Sequence, residues 1–494
     1  MKQTLPLTEN EVGVLNGGFS NFPKSRNIEK EPIQSADFID SSLLKKYKAS
    51  RFNSFIPFEG QIIGFNAYTQ QFLTLDAMLL DLFNAAILED NITGLADIHP
   101  ELFLEFIRHG YVVEHDVDET QKVKDLRNEV DLSNKKYELT INPTMNCNFK
   151  CWYCYESHIK GSKMDPETIT KIQKHIDKVL AENPDLEEFH ISWFGGEPML
   201  YFDNVVKPII TYGHEAMKDR ETELTSGFTT NGYLIKPEMI PFFKKYNIDN
   251  FQITLDGHRD KHNTVRYTAS TKGTYDKIIE NIKLLTRHEI PVYVRINYTE
   301  ETLEKVEHVV DDFAELNEKE RAFMMFSFHN VWQDRKPSRE RLEKVITRFR
   351  SNDFITNSLF SSVDTLRHSC YADKKNHATI NYNGEVFKCT ARDFTTDSRE
   401  GDMTAEGDIV WNEKFDERMN AKFNNSPCLS CRIQPICNGG CSQQAMENAG
   451  EDYCVIEMSG ISKDDVILSK FKQKLEHQIL RRAKLVRRIN AGIF

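Results

Sequence analysis

From Tyr137 onward, the chain alternates between segments with the hydrophobic pattern of strands and segments with that of amphipathic helices. The predicted strands are Tyr137–Ile141, Glu188–Trp193, Gly227–Thr230, Phe251–Leu255, Val292–Asn297 and Phe323–Phe328. The predicted helices lie near Pro166–Ala181, at Pro237–Lys245, at Thr274–Arg287 and near Leu303–Leu316. Six strands with helical crossovers predict an α/β protein whose parallel sheet is curved as a partial barrel.

Upstream of these strands, the pattern is one of small strands and short helices. A turn at Glu59-Gly60 separates two strand-like segments and predicts a hairpin. Asp76 is suited to cap a first helix, and Pro100 is suited to open a second one that Gly110 closes. The predicted elements are the strands Phe55–Phe58, Gln61–Phe65, Phe72–Leu75 and Tyr111–Val113 and the first helix, Ala77–Leu88. Such elements suit a winged-helix domain.

The segments on either side of this region show weak periodicity. Residues 1–51 contain Gly17-Gly18 and several Ser, Asn and Pro residues, so loop or extended structure is expected there. Residues 116–136 are rich in charge and are expected to form a linker to the first barrel strand.

The composition is that of an ordinary soluble protein. The chain has 494 residues, of which 39% are hydrophobic and 28% are charged, and its formal net charge is -12. A chain of this length is too long to fold around a single hydrophobic core, so about three domains are expected. The acidic balance argues against nucleic-acid binding. No apolar run of about 18 residues and no signal peptide is visible, so we expect no membrane span and a cytoplasmic protein.

The C-terminal stretch from Lys470 to Phe494 is basic and has a helical pattern of apolar residues. A solvated terminal helix packed on the body is the simpler interpretation. Contact with an acidic partner or a peptide is the alternative.

Ten cysteines carry the strongest chemical signal. Because a reducing cytoplasm disfavours disulfides, this number points to metal binding or catalysis. Cys147, Cys151 and Cys154 are spaced Cys-x3-Cys-x2-Cys on one short loop after the first barrel strand. Three thiolates on such a loop can hold three corners of a cubane iron-sulfur cluster and leave one iron free to bind a substrate or cofactor.

The other seven cysteines lie late in the chain, at Cys370, Cys389, Cys428, Cys431, Cys437, Cys441 and Cys454. A Cys-x2-Cys pair such as Cys428 and Cys431 is most often a structural zinc site. A lone triplet like the early one also occurs in zinc knuckles or by chance. Taken alone, the spacings therefore leave both zinc and iron-sulfur clusters open.

Three short segments at or after strand ends carry further candidate chemistry: Gly195-Gly196-Glu197-Pro198, Thr230-Asn231-Gly232 and Thr254-Leu255-Asp256-Gly257. A Gly-Gly pair permits close backbone approach, although alone it is usually a turn, and Asn-Gly is a common side-chain-bonded turn. Parallel barrels build their active sites at the carboxyl ends of the strands, so we expect these segments to lie near the cysteine loop.

Both cysteine sets, the aromatic Trp152 and Tyr153 and the three segments together resemble radical S-adenosylmethionine (SAM) enzymes with a C-terminal SPASM domain. The resemblance implies that Cys147, Cys151 and Cys154 hold a [4Fe–4S] cluster whose free iron is chelated by SAM. It also implies that an electron from the cluster splits SAM into methionine and a 5'-deoxyadenosyl radical.

The resemblance further implies a set of SAM contacts. Tyr153 would lie beside the adenine, although Trp152-Tyr153 could equally be core aromatics. The Gly195–Pro198 segment would hold the amino group, and the segment at Thr230 the ribose. Thr254 stands where the family often has serine, and Arg266 has a planar fork suited to the SAM carboxylate, although loop arginines are more often solvated. The implied contacts are Tyr153, Gly195, Gly196, Glu197, Pro198, Thr230, Asn231, Thr254, Arg266 and Asn297.

For the late cysteines, the resemblance implies two auxiliary [4Fe–4S] clusters, which makes three clusters in all. The implied ligand sets are Cys428, Cys431, Cys437 and Cys454 for one cluster and Cys370, Cys389 and Cys441 for the other. The second set lacks a fourth thiolate. His377 or Asp373 could supply that ligand, but an open iron that binds a substrate group or solvent is preferred. A cluster that only conducts electrons is a further alternative.

The domain layout implied is a winged-helix-like peptide-recognition domain at 1–135, the radical SAM partial barrel at 136–345, the SPASM domain at 346–470 and a basic helix at 471–494. In peptide-modifying members, the N-terminal domain adds a leader peptide to a sheet edge. A packing domain over the barrel's open side is the alternative.

The function implied is removal of a hydrogen from an unactivated carbon of a ribosomally made precursor peptide, followed by a carbon-carbon or thioether crosslink. The partners would be that peptide with its leader and an electron donor such as flavodoxin or ferredoxin. An anaerobic sulfatase-maturating enzyme, which makes formylglycine, and a peptide epimerase are alternatives on the same scaffold. A non-catalytic iron-sulfur or zinc scaffold is an alternative of a different class.

Overall fold

A computed structural model describes residues 46–331, 333–334, 339–356, 366–458 and 460–475. By its internal contacts the chain separates into residues 1–47 and residues 48–494. The expectations for residues 1–45 and for the basic stretch after residue 475 therefore lie outside the described residues.

The N-terminal elements follow the predicted hairpin and helices closely. The strands are β1 (Tyr47–Ala49), β2 (Asn53–Phe58), β3 (Gln61–Asn66), β4 (Gln71–Leu75) and β5 (Val112–Glu114), and the helices are α1 (Ala77–Leu88), α2 (Leu95–Ile98), α3 (Pro100–Arg108) and α4 (Glu119–Asp131). Strands β2, β3 and β4 form an antiparallel sheet in that order. The predicted cap is confirmed, since Asp76 accepts a hydrogen bond from the Leu79 amide at 2.8 Å.

The prediction of a charged linker over residues 116–136 is wrong, because α4 occupies most of it. Asp118 caps this helix by accepting from the Gln121 amide at 2.9 Å. Val123 is buried in a cluster with Ile433 and Val466, which come from the far end of the chain. A narrow apolar stripe is enough for a helix when tertiary packing supplies its partner, and that partner is invisible in the local sequence.

The six predicted parallel strands are confirmed and lie side by side in chain order. They are β6 (Lys136–Ile141), β7 (Glu188–Trp193), β8 (Glu223–Thr230), β9 (Ile248–Leu255), β10 (Val292–Tyr298) and β11 (Met324–Asn330). The helices of this region are α5 (Pro166–Glu182), α6 (Lys207–Met217), α7 (Ile240–Lys245), α8 (Arg259–Val265), α9 (Tyr275–Arg287), α10 (Glu318–Arg321) and α11 (Arg339–Arg350).

The connections differ from the predicted helices in two ways. Helices α6, α8, α10 and α11 were not predicted, and the segment predicted as a helix near Leu303–Leu316 is a 3₁₀ helix over Val306–Phe313. Val306, Val309, Val310 and Phe313 are buried there, so the spacings of three and four both occur. Apolar spacing in so short a segment does not separate the two helix types.

The late part of the chain extends the same sheet, which has 11 strands in all within the described residues. Its strands are β12 (Ile355–Thr356), β13 (His377–Ile380), β14 (Glu385–Phe387), β15 (Gly401–Met403) and β16 (Ile409–Trp411). Strand β13 pairs in parallel with β6, and β14 to β16 continue antiparallel. The helices are α12 (Glu413–Asn420), α13 (Ser426–Leu429), α14 (Gln434–Cys437), α15 (Ser442–Glu447), α16 (Val455–Met458) and α17 (463–475).

The two faces of the parallel sheet differ in polarity. On β7, Phe189, Ile191 and Trp193 are fully buried in the apolar core shared with α5. The alternate residues Glu188 and His190 line a cavity on the other face. Within the described part of the chain, no helix is both long enough and apolar enough to cross a bilayer.

Candidate functional site

The site is a cavity of about 750 Å³ on the polar face of the sheet. Residues from all six parallel strands line it, so the sheet curves around it. Its volume lies within the roughly 300–1,000 Å³ typical of ligand pockets. Of the residues predicted from the sequence, the lining includes Cys147, Cys151, Tyr153, Cys154, Gly195, Gly196, Thr230, Asn231, Thr254, Arg266 and Asn297.

The cysteine loop follows β6 and is closed at its base by hydrogen bonds. Thr144 Oγ1 donates to the Ser162 carbonyl at 2.6 Å, and the Lys150 amide donates to the Tyr267 carbonyl at 2.9 Å. Cys147 and Cys151 are partly buried, whereas Cys154 is exposed. The loop therefore presents its three thiols at one end of the cavity.

The three thiols are electrostatically coupled, with Cys151 interacting with both of the others. Burial raises the pKa of Cys147 and of Cys151, and it raises the pKa of Cys154 to about 11. Such thiols stay protonated at neutral pH until a metal binds, and metal binding then releases their protons.

Among the described residues, no three His, Cys, Asp or Glu side chains converge on a position for one metal ion. A [4Fe–4S] cluster takes one thiolate at each ligated iron, so its ligands need not converge on a single point.

Tyr153 is the centre of a buried polar network. Its hydroxyl donates to Asp256 Oδ1 at 2.7 Å and accepts from Arg266 Nη1 at 2.9 Å and from Asn297 Nδ2 at 3.1 Å. Arg266 also pairs with Asp256 at 3.3 Å. Burial raises the pKa of Asp256, and the Arg266 guanidinium partly offsets that rise. The network joins the cysteine loop to the ends of β9 and β10.

Arg266 is buried rather than solvated, and the carboxylate it meets here is that of Asp256. Its Nε has no hydrogen-bond partner among the described residues. A buried, unsatisfied guanidinium N–H beside the cavity can accommodate an additional carboxylate. Trp152 is 59% exposed, so it is not a core aromatic.

Glu197 and Pro198 lie behind the cavity wall instead of lining it. The fully buried Glu197 carboxylate accepts from Thr230 Oγ1 at 2.7 Å and from the Asn231 amide at 2.8 Å. Burial raises the pKa of Glu197, and these hydrogen bonds act against the rise. The structure thus places Glu197 where it positions Thr230 and Asn231, the two cavity residues at the end of β8.

Gly195 and Gly196 both adopt positive φ, +77° and +50°. A Cβ at Gly196 would lie 2.3 Å from the Asn146 carbonyl oxygen, inside the cysteine loop. Only glycine permits this approach between the β7 turn and the loop. The β7 turn is therefore packed directly against the backbone of the cysteine loop.

Similarity to known proteins agrees with this geometry. Residues 141–313 match the family model described as the radical SAM superfamily. This chain contains a radical SAM domain. A domain of this kind implies SAM and a [4Fe–4S] cluster as its cofactors and indicates a catalytic role.

A relative that spans much of the chain is the radical SAM cyclopropyl synthase TigE of Paramaledivibacter caminithermalis, 22% identical over 403 residues, 75% of this chain and 81% of TigE. The cysteine-type anaerobic sulfatase-maturating enzyme of Clostridium novyi is 26% identical over 160 residues, 32% of this chain and 42% of that enzyme. The solved structure of polyhistidine-tagged anSMEcpe with bound AdoMet has a TM-score of 0.52 at 18% identity, covering 69% of this chain and 98% of that one. The similarity to the anSMEcpe structure shows that the two proteins share a fold.

Outside the part that matches the radical SAM model, the structure groups the late cysteines as two sets. Cys428, Cys431, Cys437 and Cys454 line one small pocket. Cys389 is electrostatically coupled to both Cys370 and Cys441. None of the ten cysteines, all of which are described, forms a disulfide.

The two candidates for a fourth ligand of the three-cysteine set differ in their surroundings. Asp373 is coupled to the Cys370 thiol but already forms an ion pair with Lys422. His377 lines the cavity of the radical SAM domain, and its Nδ1 has no partner among the described residues.

Two carboxylates of the radical SAM domain, the partly buried Glu156 and the buried Asp256, were missed from the sequence. Glu156 accepts from the Gly196 amide at 2.7 Å, and burial raises its pKa to about 7. Asp256 anchors Tyr153 and Arg266, although only Thr254 was singled out from that segment. Each had a signal in the sequence. Glu156 lies two positions after the predicted ligand Cys154, and Asp256 lies inside the predicted contact segment that begins at Thr254.

Proposed function

We propose that this protein modifies a ribosomally made precursor peptide by removing hydrogen from an unactivated carbon and closing a carbon-carbon or thioether crosslink. The observation that carries the proposal is the cavity that three loop thiols share with the polar lining of the sheet. It has room for a nucleoside cofactor and for a side chain of a larger substrate.

The proposed cluster ligands of the radical SAM domain are Cys147, Cys151 and Cys154. When bound there, the cluster and SAM supply reductive cleavage to methionine and a 5'-deoxyadenosyl radical. Tyr153, Thr230, Asn231, Thr254 and Asn297 would orient SAM from the cavity wall. Glu197 would act through the two β8 residues it holds.

Arg266 is proposed to bind the SAM carboxylate through its unsatisfied Nε while its Nη1 keeps the contacts with Tyr153 and Asp256. A guanidinium can serve two anionic groups because its donors point in different directions. The Arg266 charge would attract the second carboxylate more strongly in this buried site than in water.

The relation to TigE favours the carbon-carbon crosslink. The alignment with TigE covers three quarters of this chain and so includes residues outside the part that matches the radical SAM model. A cyclopropyl ring is closed by a new carbon-carbon bond with net loss of two hydrogens from the substrate. The same net change is proposed here.

The late cysteines are proposed to hold two auxiliary [4Fe–4S] clusters, with Cys370, Cys389 and Cys441 leaving one iron without a thiolate. An auxiliary cluster would accept the electron that the substrate loses after hydrogen abstraction. Flavodoxin or ferredoxin is proposed as the electron donor to the SAM-binding cluster.

The N-terminal elements β1 to β5 and α1 to α3 are proposed as the peptide-recognition domain. Among the described residues, strands β2 and β4 each have one edge unpaired in their three-stranded sheet. A leader peptide could add to such an edge through main-chain hydrogen bonds. The proposed domain layout is otherwise the one set out from the sequence.

A second candidate function is maturation of a sulfatase, because the C. novyi relative carries that name. This match spans less than half of the relative, so it supports the shared domain more than a shared substrate. An aldehyde-reactive product would select this function over the crosslink.

The test is anaerobic incubation of the reconstituted protein with SAM, a reductant and the peptide encoded beside its gene, followed by tandem mass spectrometry. We expect 5'-deoxyadenosine and a peptide lighter by two hydrogens, and neither product from Cys151→Ala. An unmodified peptide despite SAM cleavage contradicts the peptide substrate. Zinc in place of iron and no 5'-deoxyadenosine would instead support a non-catalytic scaffold.

A further inference from the structure

A chain of hydrogen bonds runs along the cavity face of β7. His190 Nε2 lies 3.1 Å from Ser192 Oγ, and His190 Nδ1 lies 2.7 Å from Thr225 Oγ1 on β8. Thr225 Oγ1 donates to Glu188 Oε1 at 3.1 Å. The register brings these groups together, since His190 pairs with Thr225 across the two strands.

The acceptor at the end of the chain sets the direction of every bond in it. A carboxylate only accepts, so the Thr225 hydroxyl proton is committed to Glu188. Thr225 Oγ1 must then accept from His190, which places the imidazole proton on Nδ1. The lone pair of Nε2 is left to accept the Ser192 hydroxyl proton. The chain therefore runs from Ser192 through His190 and Thr225 to Glu188.

The chain of hydrogen bonds extends along β7 from its carboxyl end, which lies near the proposed cofactor site, to its amino end. Ser192 is the penultimate residue of β7, close to the turn at Gly195, and Glu188 is its first residue. Four residues of strand cover about 13 Å. Ser192 and His190 line the cavity, and the Glu188 side chain is 32% exposed, enough to exchange a proton with water.

Charged groups from the neighbouring strands also face His190. They are Lys136 and Glu138 on β6, Glu188 on β7 and Asp249 on β9, whose carboxylate lies 4.0 Å from the ring. Burial lowers the pKa of His190, and Asp249 acts against that effect. A neutral imidazole with hydroxyl groups at both nitrogens can pass a proton on without first losing one.

We propose that Ser192, His190, Thr225 and Glu188 form a proton relay that carries the substrate's proton along the cavity face of β7 to the partly exposed carboxylate of Glu188. This inference rests on the proposed function. In that reaction the substrate would give one hydrogen atom to the 5'-deoxyadenosyl radical, which would become 5'-deoxyadenosine. Closure of the crosslink would then release one electron and one proton. The electron would pass to an oxidised iron-sulfur cluster.

The proton enters at Ser192 Oγ as the Ser192 hydroxyl proton moves to His190 Nε2. The Nδ1 proton moves to Thr225 Oγ1, and the Thr225 hydroxyl proton moves to Glu188. Glu188 releases it to water, and rotation of the hydroxyl groups and proton exchange restore the first tautomer. Charge and atoms balance at each transfer.

The first test reads the tautomer without any reaction. Nitrogen-15 NMR of histidine-labelled protein, with His190 assigned by its loss in His190→Gln, should show a neutral ring protonated on Nδ1 at neutral pH. A ring protonated on Nε2, or a charged ring, overturns the relay.

The second test measures crosslinked peptide formed per 5'-deoxyadenosine in the holoenzyme. Proton-transfer groups typically contribute about 10²–10⁴-fold, so we expect this ratio to fall about 100-fold in His190→Gln and in Ser192→Ala. Added imidazole should restore part of it to His190→Ala, which a merely structural role would not allow. Using both variants guards against failure of one to fold, judged by iron content.

His175→Gln is the matched control, because His175 is a buried histidine beside β6 but contacts Tyr137 on the apolar side of the sheet. It should keep the wild-type ratio. Ratios within about twofold of wild type in both relay variants overturn the relay. If the wild-type enzyme itself leaves the peptide unmodified, the proposed function fails and the relay falls with it.

Discussion

Gly196 occupies a position where no larger residue fits, because a Cβ there would press on the Asn146 carbonyl oxygen at 2.3 Å. That oxygen belongs to the backbone of the cysteine loop and cannot move without moving the loop. Gly161 has an equally unusual φ of +79°, but nothing lies within 4 Å of its Cβ position. Substitutions at these two glycines therefore distinguish the effect of backbone strain from the effect of a steric collision.

We predict that Gly196→Ala lowers the iron bound by the SAM-site cysteines after anaerobic reconstitution, because the loop must shift. Gly161→Ala adds only the free-energy cost of an alanine at positive φ, about 1 kcal/mol, and the protein should keep its iron. Iron content and cluster absorbance measure both variants. Equal iron in the two would show that the close approach does not matter to the site.

His329, near the end of β11, is a second residue whose surroundings decide its chemistry. Burial and the nearby Arg295 charge lower its pKa to about 4. In the unfolded chain a histidine titrates near pH ~6.5, so the unfolded state binds the proton first as the pH falls. The folded state therefore loses stability as the pH falls from about 6.5 toward 4.

We predict that the free energy of unfolding of the wild type drops by up to about 1 kcal/mol more than that of His329→Asn between about pH 7.5 and 5.5, after allowance for partial exposure. Denaturant unfolding of both proteins at the two pH values measures the difference. An imidazole NMR signal of His329 that titrates near its ordinary pKa would contradict the partly buried, neutral ring.

At the scale of elements, helix α17 packs against the N-terminal sheet. Phe471 contacts Phe58 with ring centroids 5.9 Å apart and Phe72 with centroids 5.3 Å apart. Val466 and Ile467 lie in the same buried cluster as Phe52 and other N-terminal residues. The start of the predicted basic helix is therefore a packed element as well as a charged one.

We predict that Phe471→Ala destabilises the N-terminal sheet by an amount near the lower end of the roughly 3–5 kcal/mol typical of buried Phe→Ala changes. Lys472→Ala is the matched control, because this exposed residue loses only a cation-π contact with Phe58, about 0.5–1 kcal/mol. Hydrogen exchange of β2 and β4 should rise in the first variant alone. Similar exchange in both variants would refute the packing role.

At the scale of the whole molecule, the radical SAM strands and the late strands share one sheet, since β13 pairs with β6. The cysteine loop of the proposed SAM site follows β6, and Cys389 of one proposed auxiliary site follows β14 of the same sheet. Because a sheet is a stiff support, the separation of these sites should stay constant during turnover.

If the chain holds three [4Fe–4S] clusters, it binds about 12 irons, and each cluster can be removed separately. We predict that Cys437→Ala loses about four irons and still cleaves SAM, whereas Cys147→Ala loses about four and yields no 5'-deoxyadenosine. Iron analysis and chromatography of the nucleoside products measure both results. Unchanged iron in either variant would remove that cysteine from the ligand set.

The sequence predicted all six parallel strands, the hairpin and the cysteine loop, because strand alternation, turn residues and ligand spacing are local patterns. Most of the contact residues that it predicted line the cavity, because they lie at strand ends and parallel strands bring their carboxyl ends together. It failed where partners are distant. Helix α4 was hidden because its apolar partners, Ile433 and Val466, lie about 300 residues or more away in the chain.

What the sequence determined by itself was therefore the order of the elements and the chemical character of the site. The tertiary structure alone decided which side chains pair inside it: Arg266 with Asp256, Glu197 with Thr230, and His190 with Thr225. The physical reason is that each pair joins residues from different elements, whose register and burial arise only when the sheet closes around the cavity.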